Sequence, residues 1–584
     1  MNKETIYYLK SLQMEDLPDY KALLAEGYKI GEATPAGTNL FLREHKVRNE
    51  LEYREKMTSQ GKVMWRAILG MPTIELQIDA LKKLYAFGQS AGIRIDFINQ
   101  IPNILSGVPE ECREESMEYT GFALVEPEDY VRLSETVPIQ SSFPDSHLIS
   151  PRAVETTVNS IKAGANYVGV FAQFIWGYPN YYDDKTHMAE IIKALGIMSA
   201  KKDDMFIVDT YLDDGIPGYC MDYASFIGYA LLEKYIVTEL CGARYVASFG
   251  QLWSDSKMKM GALLALSDLL KTEDQPGVGY LYGNSIDHWK EHIAGNYGIT
   301  ASEYLMQILV ERKYKTGAAI QTIPITEQIA VPTVEVVEDI LAVCNRLEER
   351  AHEWDCLMDF TEIEKYRDNF KRYGTQFFNN ILEGFSAAGI DIKDPLQIIW
   401  TLRKMDPLRF ELMFHPSTFD QTSNEFEPFY PSSIVKQSLD IRDAVIKQLC
   451  ECGDGHCLAG KKAVVVSADS HRYGAFVVDN VIRAVGGEVI NGGVSVDAAI
   501  ALDIAEEEDA EIICISVHNG QCLDYARQIL ELEKERNKKH KIFMGGKLNA
   551  ILQGDAAPTD ATAKLKEMGI YANEDLFETI QTMK

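Results

Sequence analysis

The residue types and spacing best suited to chemistry occur at Asp469-x-His471-x-x-Gly474, directly after the apolar run Lys462–Ser467. A histidine with a carboxylate two residues earlier suits a metal ligand, because the carboxylate holds one ring nitrogen and leaves the other to coordinate. In isolation the same pattern also fits a solvated histidine in a loop. His471 is therefore a candidate metal ligand, and the residues that follow it decide between the two interpretations.

Two further motifs follow at fixed separations. A stretch of 41 residues separates Gly474 from the triplet Ser-Val-His at 516–518, and 26 residues separate that triplet from Gly545-Gly546. This succession resembles the fingerprint of the base-off, His-on cobalamin-binding fold, which reads D-x-H-x-x-G, then S-x-L, then G-G. The resemblance covers the last 126 residues. The alternative interpretation is a flavodoxin-like domain without a cofactor.

The resemblance implies a role for each motif. In the family the loop histidine coordinates cobalt and displaces the dimethylbenzimidazole tail, which enters a slot lined by the serine and the glycines. His471 then corresponds to the lower axial ligand and Asp469 to its partner. The other implied cofactor-binding residues are the loop glycine, the serine and the glycine pair: Gly474, Ser516, Gly545 and Gly546. His518 stands where the family has leucine, which is a departure within the tail pocket.

The segment that carries these motifs alternates apolar runs with longer amphipathic stretches. The apolar runs predict buried strands at Lys462–Ser467, Glu488–Asn491, Glu511–Ser516 and Lys541–Met544. The amphipathic stretches predict helices at Ala475–Val485, Asp497–Glu507, Asp524–Glu535 and Thr562–Met568. This alternation predicts a doubly wound, Rossmann-like parallel sheet over residues 459–584. Ligands of such sheets bind beyond the carboxyl ends of the strands, which is where the motifs fall.

The longer first part of the chain repeats this rhythm at wider spacing. Eight candidate strands, the number that a (β/α)8 barrel requires, are Val63–Leu69, Ile93–Phe97, Val137–Ser141, Tyr167–Gln173, Met205–Thr210, Tyr245–Phe249, Gly277–Tyr282 and Ala318–Ile323. Helical patterns between them include Leu76–Phe87, Ala153–Ala163, Thr186–Ala200 and Tyr223–Leu240. We therefore predict a TIM-like catalytic barrel with helical extensions over residues 1–420. A linker over 421–458 has room for one helix, Ser433–Leu449.

Polar side chains fall at or just beyond the ends of the predicted barrel strands, at Arg66, Asp96, Gln140, Gln173, Asp209, Tyr211, Asp213 and Gln251. Barrel enzymes build their sites from strand ends, so we predict a substrate site formed by Arg66, Gln173, Asp209 and Tyr211. Arg66 suits a carboxylate, while Asp96 or Asp213 suits an ammonium group. Each of these residues also fits a polar rim position or a helix N-cap.

The organisation of the chain favours one class of cobalamin protein. Cobalamin domains serve methyltransferases and radical mutases, but methyltransferases place a bundle of several helices before the cobalamin domain. The barrel resembles the catalytic subunit of glutamate mutase over residues 206–217 and 241–246 and at Pro144-Asp145-Ser146. The resemblance implies adenosylcobalamin as the cofactor and a carbon-skeleton 1,2-rearrangement of a small acid that begins with hydrogen abstraction.

The resemblance stops at the residues by which glutamate mutase holds its substrate. Gln140 stands where an arginine is expected, Tyr167 near the expected glutamate and Ser248 near the expected lysine. The substrate is therefore open between another small acid, as in 2-methyleneglutarate mutase, and an amino-bearing compound. The alternative functions are an aminomutase that also needs pyridoxal phosphate, a corrinoid-dependent methyltransferase and a cobalamin-dependent sensor.

The net charge and composition of the chain disfavour some classes of binding partner. The 584 residues carry a net charge of −29, of which −6 falls in the last 126 residues and −23 in the other 458. This even acidity disfavours nucleic acids and anionic membranes. With few cysteines, no apolar run long enough for a membrane helix and no signal-peptide pattern, we expect a cytoplasmic homo-oligomer that acts on a small molecule. One cysteine-rich stretch fits free thiols better than a zinc site: Cys450, Cys452, His456 and Cys457.

Overall fold

The structure, a computed structural model, describes residues 3–13, 16–113, 121–143, 148–172, 174, 177–213, 220–290, 292–328, 331–417, 428–469, 471–518, 520–550 and 559–584. The chain divides into two compact units. The first comprises Met1–Pro109, Gly121–Ile175 and Tyr182–Ser433, and the second comprises Glu110–Thr120, Trp176–Tyr181 and Ile434–Lys584. Among the described residues, no helix is both long enough and apolar enough to cross a membrane.

The first unit is built around an eight-stranded parallel sheet. Its strands are β1 (Trp65–Leu69), β2 (Phe97–Gln100), β3 (Gln140–Ser142), β4 (Tyr167–Val168), β5 (Ile207–Tyr211), β6 (Tyr245–Phe249), β7 (Val278–Tyr282) and β8 (Ala319–Gln321). They lie in the order β3-β2-β1-β8-β7-β6-β5-β4. A single parallel bridge between Phe143 and Val168 joins the two edges. The predicted α/β barrel is therefore confirmed as a nearly closed, barrel-like sheet.

Fifteen helices described in the first unit precede, connect or follow these strands. They are α1 (Lys3–Ser11), α2 (Tyr20–Ala33), α3 (Leu40–His45), α4 (Glu50–Ser59), α5 (Ile74–Ala91), α6 (Pro127–Ser134), α7 (Ala153–Lys162), α8 (Asp184–Ala200), α9 (Tyr223–Lys234), α10 (Ser256–Leu270), α11 (Ile293–Tyr314), α12 (Val334–Arg350), α13 (Thr361–Ala388), α14 (Pro395–Arg403) and α15 (Pro407–Phe414). A π-helical turn, Tyr235–Leu240, extends α9. Short 3₁₀ turns lie at Ile104–Gly107 and Ala351–Glu353.

A buried arginine fills the barrel near the amino ends of its strands. Arg54, on α4, pairs with Glu50 at 2.8 Å. Its guanidinium carbon lies 4.4 to 4.8 Å from the ring centroids of Phe97, Tyr167 and Tyr280. A buried cation is tolerated when it is paired and hydrogen-bonded, and aromatic faces attract it further. This end of the barrel is therefore closed by side chains, which leaves the carboxyl ends of the strands for a ligand.

The second unit contains a five-stranded parallel sheet. Its strands are β9 (Lys462–Ser467), β10 (Glu488–Gly493), β11 (Ile512–Val517), β12 (Lys541–Gly546) and, after the antiparallel pair β13 (Asn549–Ala550) and β14 (Thr559–Asp560), β15 (Tyr571–Ala572). The order β10-β9-β11-β12-β15 is that of a flavodoxin-type sheet. Its helices are α16 (Ser433–Glu451), α17 (Tyr473–Ala484), α18 (Ala498–Glu507), α19 (Cys522–Arg536), α20 (Thr562–Glu567) and α21 (Leu576–Met583). Separate apolar cores cover the two faces of the sheet.

Candidate functional site

In the second unit, the loop after β9 holds His471 through the carboxylate of Asp469. One carboxylate oxygen lies 2.9 Å from the His471 backbone nitrogen and 2.9 Å from Nδ1 of its ring. The other oxygen accepts the backbone N–H of His518 at 2.6 Å. Three groups around one buried carboxylate therefore fix both the backbone and the ring of His471.

Charge decides which ring nitrogen of His471 carries the proton. Burial alone raises the pKa of Asp469, but the neighbouring His471, the hydrogen bonds from His471 and the nearby His518 outweigh that effect and hold the pKa below its ordinary value. Near neutral pH the Asp469 carboxylate is therefore ionised and can accept hydrogen bonds but cannot donate them. Nδ1 of His471 must then be the protonated nitrogen. In a neutral ring this leaves Nε2 as the atom with the lone pair that a metal requires.

The other predicted cofactor residues meet this loop because the strands are in register. Ser516 pairs with Ser467 of β9 on one side and with Gly545 of β12 on the other. The Oγ of Ser467 donates to the backbone carbonyl of His471 at 2.9 Å. All three motifs therefore lie at one edge of the sheet, at the carboxyl ends of β9, β11 and β12.

Two glycines are required for the close approach of backbone at this edge. A Cβ on Gly474 would collide with Oγ of Ser516, and a Cβ on Gly546 would collide with the backbone carbonyl of Val517. Gly546 also has a φ of +104°, which side chains rarely allow. The residues present therefore fit the cobalamin fingerprint, with a narrow, glycine-lined edge beside an imidazole whose Nε2 suits a metal.

His518 is packed against the candidate ligand. The two imidazole rings of His471 and His518 are stacked, with centroids 4.1 Å apart and planes inclined by 29°. Burial and the nearby His471 keep the pKa of His518 well below its ordinary value, so its ring is neutral. The departure from leucine noted in the sequence therefore places a flat, neutral ring against one face of His471.

The three hydrogen bonds that the Asp469 carboxylate accepts predict a measurable effect of Asp469→Asn. An amide has one acceptor oxygen, so its NH2 group would face an N–H donor and the His471 ring would lose its fixed orientation. We expect cobalamin affinity to fall about 10- to 100-fold, as for other groups that orient metal ligands. An absorbance titration with cobalamin measures this effect. Asp503→Asn, which removes an exposed partner of Arg536 in the same unit, is the matched control, and equal affinities of the two variants would remove the role of Asp469.

In the first unit, Arg66 lies at the centre of the polar interior of the barrel. Its side chain is completely buried, and its Nη2 donates to Oδ1 of Asn99 at 2.7 Å and to Oγ of Ser142. Nη1 donates to the hydroxyl of Tyr282 at 3.2 Å, while Nε has no hydrogen-bond partner among the described residues. The guanidinium also lies 3.7 Å above the Tyr280 ring centroid. The groups that hydrogen-bond to Arg66 or stack on it are therefore all neutral, and no carboxylate forms an ion pair with it among the described residues.

Asp209, in the middle of β5, is buried in the same interior. One of its oxygens accepts the hydroxyl of Ser248 at 2.6 Å, and that hydroxyl accepts the backbone N–H of Tyr280 at 3.0 Å. Burial raises the pKa of Asp209 to about 7, although Arg66 and the Ser248 hydrogen bond act to lower it. Asp209 therefore exchanges a proton near neutral pH, which suits a hydrogen-bond donor or acceptor to a bound ligand.

Tyr211 ends β5 and begins a row of neutral polar groups. Its hydroxyl donates to Oε1 of Gln251 at 2.9 Å, and its ring lies 4.5 Å from that of Tyr282. Gln251 in turn donates to Oγ of Ser285 at 3.1 Å, as does Gln328. Tyr282 connects this row to Arg66, so hydrogen bonds and a ring contact link the loops after β5, β6, β7 and β8.

Two of the polar residues predicted at strand ends lie at the opposite end of the barrel. Asp96 precedes β2 and accepts the Trp65 backbone N–H at 2.8 Å. Gln140 is the first residue of β3 and bonds Asn39 and the backbone carbonyl of Gly164. The prediction that both lie at the barrel mouth is wrong, because strands β2 and β3 begin later than their apolar patterns indicate. Gln173 and Pro144-Asp145-Ser146 lie outside the described residues.

Asp213 is close to the barrel mouth, and both of its oxygens accept hydrogen bonds from the loop after β6. One oxygen accepts the backbone N–H groups of Gly250 and Gln251, the latter at 2.6 Å, and the other accepts the indole N–H of Trp253 at 3.0 Å. Asp213 therefore holds the loop after β6, and an ammonium group of a substrate would have to displace these donors.

The sequence analysis missed three neighbours of Arg66. Asn99, Ser142 and Tyr282 lie at or one residue before the carboxyl ends of β2, β3 and β7. The sequence signal for such residues is a polar side chain at the end of a strand. The predicted β2 ended at Phe97, two residues before Asn99, and the predicted β3 ended at Ser141, one residue before Ser142.

The cysteine-rich stretch does not form a metal site in the structure. All ten cysteines are free thiols. Within the described ranges, no three His, Cys, Asp or Glu side chains are grouped so that they could hold a metal ion. Cys450 and Cys452 are exposed and Cys457 is half-buried.

Comparison with known proteins identifies the second unit. No curated protein matches the chain. Among solved structures, a novel cobalamin-binding protein from Desulfitobacterium hafniense DCB-2 is 16% identical over 26% of this chain and 80% of its own chain, with a TM-score of 0.18. Residues 462–562 match the family model of the B12 binding domain, and that stretch includes the three motifs described above. The match supports a cobalamin cofactor for the second unit.

Proposed function

We propose that this protein is an adenosylcobalamin-dependent mutase that catalyses a carbon-skeleton 1,2-rearrangement of a small acid. The B12 binding domain match supports the cofactor. The choice of a mutase rests on one observation, which is a barrel-like sheet in the same chain with a buried, polar interior centred on Arg66. A buried substrate site is expected where the protein must keep a reactive radical away from water.

The residues of the second unit would hold the cofactor. His471 is the ligand that Asp469 orients, and the glycine edge formed by Gly474, Gly545 and Gly546, together with Ser516, leaves room for the nucleotide tail. When bound, adenosylcobalamin supplies a 5′-deoxyadenosyl radical. The chain itself contributes the orientation of the lower ligand and the exclusion of water from the bound tail.

The residues of the barrel would hold the acid. Arg66 binds the carboxylate, because a buried guanidinium makes charge-assisted hydrogen bonds that neutral side chains do not replace. Asp209 and Tyr211, both on β5, provide a titratable carboxyl group and a hydroxyl group on the side of the interior that faces Arg66. These two groups would orient the substrate and hold protons at Oδ of Asp209 and Oη of Tyr211.

Label transfer tests the reaction class. The full chain is loaded with adenosylcobalamin deuterated at the 5′-carbon and incubated with a panel of four- and five-carbon acids. We expect deuterium in at least one recovered acid and its isomer, measured by mass spectrometry. Transfer of a methyl group from methylcobalamin, with no deuterium transfer, would identify a methyltransferase instead. Dependence on pyridoxal phosphate, with an absorbance change on borohydride treatment, would identify an aminomutase.

A further inference from the structure

We infer that the substrate carries a single anionic group, a carboxylate bound by Arg66, and that the rest of it is neutral and hydrogen-bonding. This inference rests on the proposed function, since it assumes that the substrate lies in the barrel. It goes further because it excludes dicarboxylates and names the chemistry of the second end.

The buried lysines and arginines can be counted among the residues whose side chains the structure describes. Every lysine and arginine of the chain except Lys3 belongs to that set. Within the described residues, four lysines and arginines are buried: Arg54, Arg66, Lys201 and Lys259. Three of them pair with a carboxylate: Arg54 with Glu50, Lys201 with Asp204 and Lys259 with Glu303. Arg66 is the only buried cation in the described ranges that has no such pair.

Burial of an unpaired charge is costly, because its hydration is lost and no opposite charge replaces it. Arg66 is compensated in part by Asn99, Ser142 and Tyr282, which are neutral, and its Nε is left without a partner. A carboxylate is the ligand that completes such a site, because it matches the planar donor fork of arginine. Among the described residues, Arg66 thus marks one position for an anion.

The remaining groups near this position favour a neutral second end. From Tyr282 the polar row runs through Tyr211 to Gln251, Ser285 and Gln328, all uncharged. Two acidic side chains described on the β5 side of this interior, Asp209 and Asp213, would repel a second carboxylate. Because three N–H groups already bind Asp213, it does not offer a place for an ammonium group either. Amide and hydroxyl groups on the substrate fit the row best.

Matched probes test this inference on the full chain without cobalamin. Succinate, succinamate and succinamide have nearly the same size and carry two, one and no carboxylates; glutarate, glutaramate and glutaramide repeat the series with one more carbon. We expect calorimetric titration to show that a monoamide binds at least about 10-fold tighter than its diacid and its diamide, since one charge-assisted bond is worth that factor.

Two variants connect the selectivity to Arg66. Arg66→Gln removes the charge and should remove the preference for the monoamide. Asn99→Asp introduces a carboxylate beside Nη2 of Arg66, so it should occupy the cation and weaken monoamide binding about 10-fold or more. Because the second change is nearly isosteric and adds an ion pair, its melting temperature should not fall, which separates loss of the site from loss of the fold.

The outcomes decide the inference separately from the proposed function. Tighter binding of a diacid than of its monoamide, or no Arg66-dependent binding of any of the probes, would overturn it. Since these titrations use no cobalamin, they can fail while deuterium transfer succeeds with a diacid, which would leave the mutase assignment intact. Deuterium transfer can likewise fail while a monoamide binds through Arg66.

Discussion

The His471→Ala chain is expected to bind cob(II)alamin without the nitrogen superhyperfine pattern that a protein histidine produces. The geometry gives the reason: the ionised Asp469 holds Nδ1 of His471 at 2.9 Å, so Nε2 is the coordinating atom that the substitution removes. Growth on 15N-histidine changes the pattern in the wild-type protein, which shows that the nitrogen belongs to the protein and not to the cofactor tail. Electron paramagnetic resonance measures both samples.

His518 provides the control, because it lies in the same site and is also an imidazole. Its ring is stacked 4.1 Å from that of His471, so His518→Ala tests whether it is a ligand or a neighbour. We expect His518→Ala to retain the histidine pattern and His471→Ala to lose it. If the 15N-dependent pattern persists in His471→Ala and disappears only in the double variant, then His518 is the ligand and the assignment made here is wrong.

The second sheet could be predicted almost completely because β9, β11 and β12 are short apolar runs that are largely buried, and β10 follows a helix in the same alternation. The predicted Lys462–Ser467 agrees with β9, and the other three runs differ from β10, β11 and β12 by at most two residues at an end. β15 and α21 were not predicted. β15 has two residues, Tyr571 and Ala572, which is too short for any periodicity to appear.

The existence of the barrel strands was predicted correctly, but their ends were not. Because candidate site residues were chosen at strand ends, the errors in those ends determined which site residues were missed. Residues 93–96 alternate apolar and polar side chains and were predicted as strand. In the structure Arg94 and Asp96 form an ion pair at 3.0 Å, and β2 begins at Phe97. Asp96 also accepts the Trp65 backbone N–H at 2.8 Å, a tertiary contact that the local pattern does not contain. Because β2 begins and ends later than predicted, Asp96 lies at the amino end of the strand and Asn99 lies near its carboxyl end.

The groups that surround Arg66 could not be predicted from the sequence either, because they also depend on tertiary packing. The sequence identifies an arginine that suits a carboxylate, but not whether the protein already supplies one. That depends on Asn99, Ser142 and Tyr282, which come from three other strands. Lys259 shows the opposite outcome: it is buried like Arg66, but its ammonium group pairs with Glu303.

The buried ion pair of Lys259 and Glu303 is expected to be costly to break. Glu303 lies between α10 and the loop after β7, where it also accepts the Asn284 backbone N–H at 2.9 Å and the Gln307 side chain at 3.2 Å. Lys259→Met removes the partner charge and leaves a carboxylate in the interior. We expect the free energy of unfolding of the first unit to fall by about 3–5 kcal/mol.

The loss should depend on pH in a defined direction. Burial already raises the pKa of Glu303, while Lys259 acts to lower it, so in Lys259→Met the pKa must rise further above its unfolded value. A protonated Glu303 needs no partner, so the variant should be closest to the wild type at acidic pH and should lose stability as pH rises through the new pKa. Urea unfolding followed by tryptophan fluorescence measures this, since five of the six tryptophans lie in the first unit: Trp65, Trp253, Trp289, Trp354 and Trp400.

Two further variants separate charge from packing. Lys365→Met breaks an exposed pair with Glu362 and should change stability little, because surface pairs contribute little. Adding Glu303→Gln to Lys259→Met removes the orphaned charge and should restore much of the loss and abolish its pH dependence. If Lys259→Met unfolds no more easily than Lys365→Met, or if the double variant is as unstable as the single one at every pH, the unpaired Glu303 carboxylate is not the cause of the loss.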